Sequence, residues 1–278
     1  PDWRLAATVS RSGTVEGVEA FADFGRFLAG RPGVGAVSLA LPPQPRLPYA
    51  EAALRAGRHV MLEKPPGQTL AEVQALERLA RERGVALYAS WHSRMGRGVA
   101  AARDWLEGRE VTGGRVTWKE DVRQWHPGQT WVFEPGGMGV FDPGINALSV
   151  LTAILPAPVH LLSAELDLPE DRQTPIAARL SFTGGVTMEL DWLHLGEPVW
   201  DIALETTDGP LLLREGGNRL ILGGEDRTPE APGEYPSLYA RFAALVRAGR
   251  SEVDLAPMVL VADALSLGRR RRVAPFAF

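Results

Sequence analysis

The 278-residue chain contains no cysteine. That excludes disulfides, thiolate nucleophiles and cysteine-ligated metals, and it fits a reducing, cytoplasmic setting. Positive charge is not in excess either: a formal net charge of −4 leaves no broad basic surface, so nucleic acid is not an expected partner. No apolar run approaches the ~18 residues that suggest a membrane span. We find no signal-like segment, internal repeat or low-complexity tract. The histidines His59, His92, His126, His160 and His194 never fall at metal-ligand spacing with a carboxylate cluster, so no metal is expected. A Gly-x-Ser-x-Gly elbow and a Walker A phosphate loop are both missing. The chain opens on Pro1 and enters a strand-like run almost at once, which leads us to expect further residues upstream in the natural protein.

What is present has the balance of a soluble globular protein, 45% apolar and 23% charged, with length enough for two domains. Residues 5–9 read as a strand followed by the polar turn Ser10-Arg11-Ser12-Gly13, and a short piece at 18–21 reads as an edge strand. A helix through Phe24, Phe27 and Leu28 closes at Gly30 and Pro32. Residues 36–41 make a buried strand with Pro42-Pro43 at its carboxyl end, and a helix over 50–56 ends at Gly57. The run His59-Val60-Met61-Leu62-Glu63-Lys64-Pro65-Pro66-Gly67 is a further buried strand, ended by prolines that cannot donate to a ladder. Thr69 caps the next helix with Glu72 as its capping-box partner, and residues 86–89 form another strand with Trp91-His92 at its end. Strands alternating with helices at this spacing predict βαβ units and a doubly wound parallel sheet over residues 1–93. A lysine at the carboxyl end of such a strand points into the crevice where open α/β sheets bind ligands. A Glu-Lys pair in an ordinary surface turn is the plainer alternative.

From about Arg94 the pattern changes, and residues 94–278 read as a second, α+β domain with an open, mostly antiparallel sheet. Strand-like runs at 115–119, 160–166, 176–182, 186–192, 200–206, 211–214 and 220–222 are separated by hairpin turns such as Thr183-Gly184-Gly185. An apolar helix spans 139–155, and two more close the chain over 235–247 and 255–267. One face of the sheet packs on helices, leaving the other exposed or paired with a second subunit, which makes a homodimer through the sheet the expected assembly. Residues 269–272, four arginines, read as the solvated end of the last helix, where positive charge suits the dipole.

The densest polar and aromatic stretch runs from Glu120 to Asn146. Pro143 suits the first turn of a helix and Asp142 its N-cap, while Asn146 falls four residues on and therefore on the same face. That puts a carboxylate beside an amide at the mouth of an apolar helix, although an Asp before a Pro is also a common plain cap. Gly139 and Gly144 each weaken a helix by ~1 kcal/mol and are easier to explain if something packs closely against that turn. His126 stands beside Trp125 in a loop, an aromatic and polar pairing common in sugar sites, or is a simple hydrogen-bonded loop histidine.

Glu63-Lys64-Pro65 with the strands before it, Trp91-His92-Ser93-Arg94, Trp118-Lys119-Glu120-Asp121, Trp125-His126-Pro127-Gly128 and Phe141-Asp142-Pro143-Gly144-Ile145-Asn146 together resemble the Gfo/Idh/MocA oxidoreductases. In particular they are similar to the bacterial group of L-arabinose 1-dehydrogenases and D-galactose 1-dehydrogenases. The resemblance covers essentially the whole chain. It implies a Rossmann domain, a second domain with an open sheet, and a nicotinamide cofactor in the crevice between them. The implied activity is oxidation of an aldopyranose, L-arabinose or D-galactose, at C1 to its lactone. Asp142 is the candidate base and Lys64 binds the same hydroxyl, while Asn146, Glu120, His126 and His92 hold the ring hydroxyls. A non-catalytic nucleotide- or sugar-binding regulator of the same family is the alternative, and a purely structural scaffold would show a wholly apolar outer sheet face.

For the cofactor, Ser10, Arg11, Pro42, Pro43, Glu63 and Lys64 are the candidate contacts. Acid at the end of the second Rossmann strand selects NAD; here Ser10-Arg11 stand there instead, so NADP is expected in preference to NAD. One departure stands out: the family's glycine-rich phosphate turn between first strand and first helix is absent. If residues 5–9 are the second strand of the usual order and 36–40 the fourth, their common neighbour belongs upstream, and the two should not pair directly.

Overall fold

The computed structural model describes residues 2–11 and 13–278; Pro1, and Ser12 of the turn read after the first strand, lie outside the described residues. The chain divides into two compact units, one comprising Pro1–Ser90 and Pro236–Asp254, the other Trp91–Tyr235 and Leu255–Phe278.

The first unit is built from parallel strands and covering helices. β1 (Ala7–Val9) pairs in parallel with β2 (Glu19–Phe21), and α1 (Phe24–Gly30) follows, capped by Asp23, whose carboxylate accepts from the Arg26 N–H. β3 (Ala36–Leu39), β4 (His59–Leu62) and β5 (Leu87–Ala89) form a separate parallel sheet in that order, joined by α2 (Arg46–Arg55) and α3 (Leu70–Arg83). Leu39, Val60, Leu62 and Leu87 of these strands are buried with Ala53, Leu54, Leu76 and Ala80 of the helices; β4 and β5 are covered on both faces, whereas Ser38 of β3 is exposed. Thr69 caps α3 through the Glu72 N–H at 3.2 Å, and the Glu72 carboxylate reaches back to the Gln68 N–H at 2.9 Å, close to the expected capping box. From Pro236 on, α7 (Glu234–Ala248) belongs to this unit, and Trp3 stacks on its Phe242 at 5.0 Å. β1 and β3 are not paired with one another, as expected; a cavity of about 570 Å³ opens onto Ala6, onto Val34 and Gly35, which lead into β3, and onto Ala36, its first residue.

The second unit is a nine-stranded mixed sheet with helices on one face. Its strands are β6 (Val111–Lys119), β7 (Leu161–Pro169), β8 (Ala177–Phe182), β9 (Val186–Asp191), β10 (Val199–Thr206), β11 (Gly209–Arg214), β12 (Arg219–Leu222), β13 (Glu225–Asp226) and β14 (Arg269–Val273). Their spatial order is β13-β12-β11-β10-β6-β9-β8-β7-β14. All neighbours are antiparallel except β6 with β9 and β7 with β14. Alternation puts Val116, Trp118, Met188, Leu190, Leu166 and Leu180 on the covered face. There α6 (Phe141–Ile154) meets β6 and β10, α8 (Ala256–Leu267) meets β7, and α4 (Val99–Leu106) meets β11 and β12; a short helix, α5 (Val122–Trp125), follows β6.

The opposite face is charged, not apolar. Glu189 takes both Lys119 at 2.6 Å and Arg115 at 2.8 Å, and Arg179 stands between Glu165 and Asp167 at 3.4 Å. This removes the observation that would have favoured a mere assembly scaffold. It also corrects the reading of the four arginines. They are not a helix end: they are β14, an edge strand whose Arg269 and Arg271 pair with Glu165 and Asp167 of β7 across the ladder. Burial works to raise Asp167, but hydrogen bonds and charge from Arg271 and Arg179 outweigh it and hold the carboxyl below the usual range.

Candidate active site

In the first unit the candidate residues sit where parallel strands end. Pro42 and Pro43 follow β3, the second of them buried; Glu63 and Lys64 follow β4, half-buried, with the Lys64–Pro65 peptide cis. Glu63 folds its carboxylate back onto the next residue, Oε1 accepting the Lys64 N–H at 2.9 Å. Ser10 and Arg11 follow β1; Ser10 Oγ accepts the Gly13 N–H at 3.0 Å and Arg11 is exposed. A hydroxyl and an exposed guanidinium at a strand end form a donor set that fits a ribose 2′-phosphate.

Sequence reasoning missed Arg46 in this unit. It is 2% exposed, and its guanidinium donates to the carbonyls of Leu41, Glu63 and Pro65, with Nε–Leu41 O at 3.0 Å. One signal was available: a cation at the first residue of a helix opposes the macrodipole, so it needs another reason to be there.

In the second unit the centre is the start of α6. Asp142 is not the N-cap, which is Val140 without a side-chain bond; it lies inside the first turn, 5% exposed. His126 Nε2 stands 3.2 Å from Asp142 Oδ2. The other ring nitrogen, Nδ1, lies 3.4 Å from Gln129 Oε1, which also accepts the Trp131 indole N–H at 3.0 Å. Trp192 meets the same imidazole edge-on at 5.4 Å. Asn146 sits one helical turn beyond Asp142, half-buried. The two glycines here are required by close packing. A Cβ on Gly144 would lie 2.6 Å from Leu190 Cδ1, and one on Gly139, at φ +55°, 2.2 Å from the Pro175 carbonyl.

Glu120, 5% exposed at the end of β6, accepts the indole N–H of Trp192 at 3.2 Å and that of Trp200 at 2.9 Å. Trp200 in turn touches Trp118 at 6.0 Å and the half-exposed Trp125 at 5.6 Å. His92 Nδ1 pairs with Glu234 Oε2 at 2.8 Å, and the ring stacks on Tyr235 at 6.0 Å. Burial works against charge on Glu234, yet hydrogen bonds from His92 and Asn218 hold its carboxyl below the usual range. The structure thus brings His126 to Asp142 and gives Glu120 and His92 partners, Trp192, Trp200 and Glu234, that spacing in sequence did not reveal.

Known proteins share this architecture. The model of an oxidoreductase family with an NAD-binding Rossmann fold, Gfo/Idh/MocA, matches residues 6–90. Galactose 1-dehydrogenase of Pseudomonas fluorescens is 39% identical over 286 residues, spanning 99% of this chain and 91% of that protein. The chain belongs to the Gfo/Idh/MocA oxidoreductase family. Among solved structures, the D-galactose-1-dehydrogenase protein from Rhizobium etli superimposes with a TM-score of 0.94 at 50% identity, covering 99% of this chain and 89% of that one. The 3-ketoreductase KijD10 from Actinomadura kijaniata, in complex with NADP and TDP-benzene, shares the fold at 19% identity with a TM-score of 0.81, covering 96% and 90%. The Rossmann unit expected from the strand and helix order is therefore that of a Gfo/Idh/MocA oxidoreductase, a family whose fold binds a nicotinamide cofactor.

Proposed function

We propose that this chain oxidises an aldopyranose at C1 to its lactone, with D-galactose as first substrate and L-arabinose, the same ring without the hydroxymethyl group, as second. The observation that carries the reading is Asp142: a carboxylate 5% exposed at the mouth of α6, with His126 Nε2 at 3.2 Å and Asn146 one turn on. The similarity along the whole chain to a galactose 1-dehydrogenase supports it.

Removing hydride from C1 is easy only if the C1 hydroxyl loses its proton at about the same time. Asp142 serves as the base, and the Lys64 ammonium bonds the same oxygen and stabilises the alkoxide charge as it develops. His126 holds the Asp142 carboxylate in place. Glu120, Asn146 and His92 orient the ring hydroxyls, and the indoles around Glu120 offer the apolar surface that a pyranose face stacks on. A bound nicotinamide would supply the hydride acceptor. Ser10 and Arg11 would hold the 2′-phosphate of NADP, and Pro42, Pro43 and Glu63 at the neighbouring strand ends would line its site.

Initial rates with a panel of aldoses and both cofactors test this. Turnover is expected with D-galactose and L-arabinose and is expected to vanish in Asp142→Ala. A protein that binds sugar or nucleotide but turns over none of the panel is a regulator, and the proposal fails.

A further inference from the structure

We propose that Arg46 is a positioning residue for Lys64, a role that rests on the reaction proposed above. Arg46 opens α2, directly after the loop that leaves β3, and is 2% exposed. A cation is doubly misplaced there: it opposes the helix dipole, and burial away from water is costly unless its donors are used. They are used on two loops at once. Nε, at 3.0 Å, and Nη2 donate to the Leu41 carbonyl beyond β3; Nη1 donates to the carbonyls of Glu63 and Pro65 beyond β4. Those last two carbonyls bracket Lys64. β3 and β4 are adjacent parallel strands, with Leu39 opposite Leu62, so the two loops leave the sheet side by side. One rigid planar fork therefore fixes the separation of the loops and the backbone on both sides of Lys64. Glu63 Oε1 on the Lys64 N–H at 2.9 Å completes the restraint.

Lysine is rare enough here to serve as its own reporter. Of 30 basic residues only Lys64 and Lys119 are lysines. Lys119 is held by Glu189 at 2.6 Å on the large sheet and acts as an internal control. Reductive ¹³C-methylation of the full chain labels these two side chains and the amino terminus, and Lys64→Arg assigns the peaks.

Arg46→Met, which keeps the length of the side chain but not its donors, is expected to shift the Lys64 resonance and its pH titration while leaving the Lys119 peak in place. On untagged protein it is expected to lower kcat with D-galactose and NADP by roughly 10- to 100-fold, with cofactor KM changed by less than about threefold, as displacement of a reacting group does. Arg46→Lys keeps the charge but gathers its donors on one nitrogen that cannot span both loops, so its kcat is expected to stay within about threefold of that of Arg46→Met. An unmoved Lys64 resonance with kcat unchanged per folded molecule, however low the melting temperature, overturns the proposal. If Arg46→Met does not fold, Arg46→Lys with full kcat overturns it instead. If the wild type oxidises no aldose, the proposed reaction fails, and the Lys64 resonance alone still decides whether Arg46 positions it.

Discussion

His126 Nε2 stands 3.2 Å from Asp142 Oδ2, while Gln129 Oε1 faces the other ring nitrogen at 3.4 Å. The imidazole is thus held from behind and presented to a carboxylate that has almost no other access to solvent. If Asp142 takes the C1 proton, the two side chains act as one unit, and losses on removing them do not add. Asp142→Ala and Lys64→Ala are each expected to lower kcat by roughly 10²- to 10⁴-fold, as lost acid–base groups do. His126→Ala is expected to lower kcat/KM by roughly 10- to 100-fold through misplacement of the carboxylate. The His126→Ala/Asp142→Ala double variant should fall no more than about threefold below Asp142→Ala alone. Steady-state kinetics on the four proteins decides; additive losses mean that His126 acts elsewhere.

Arg11 tests the cofactor. It is exposed at the end of β1 beside Ser10; if β1 is the second strand of the usual order, NAD-selective folds place an acid there. Arg11→Ala is expected to lower kcat/KM for NADP by about tenfold, the worth of one charge-assisted hydrogen bond to a phosphate, and to leave the NAD value nearly unchanged. Equal values for the two cofactors in the wild type, unmoved by the substitution, would remove Arg11 from the site.

Glu120 tests the indole cluster. Both of its carboxylate oxygens accept an indole N–H, from Trp192 and from Trp200. Glu120→Gln keeps the shape but turns one acceptor into an amide donor facing an indole donor. With the side chain buried, that mismatch is expected to cost about 1–3 kcal/mol in urea unfolding and to change the near-UV tryptophan signal. Wild-type stability with an unchanged spectrum would mean that the indoles find other acceptors.

Which parts of the site were legible in the sequence follows from the range of the forces that build it. The strand that leads to Lys64 was visible because its apolar run and its prolines lie within one short window, and the same holds for Pro143 placing Asp142 at a helix start. The purpose of Gly139 and Gly144 was suspected from their cost in a helix, but the atoms they make room for, on Pro175 and Leu190, come from a distant loop and strand. Arg269–Val273 was misread because four arginines carry no apolar alternation, and the acids that make them a strand lie about a hundred residues earlier on β7. Arg46, Glu234 and the indoles on Glu120 were hidden for the same reason: each is defined by a partner remote in sequence.

The edge strand gives the last prediction, in the pH dependence of stability. Asp167 and Glu189, though partly buried, are held below the usual carboxylate range by arginines and a lysine on neighbouring strands, and Glu234 by His92 and Asn218. A carboxyl with a depressed folded pKa contributes stability that is complete above its unfolded pKa, about 4. The contribution is lost as pH falls through the lower, folded value. The melting temperature is therefore expected to hold from neutral pH down to about 5 and then to drop steeply below about 4. Asp201 works in the opposite direction, since burial raises it, and softens the drop slightly. Asp167→Asn removes the carboxylate that Arg179 and Arg271 share. It should lower the melting temperature at pH 7 and flatten its fall in acid, because one of the groups that must take up a proton has gone. Melts by circular dichroism between pH 7 and pH 3 measure both; a variant that parallels the wild type at every pH would show that the β14 ion pairs contribute nothing to stability.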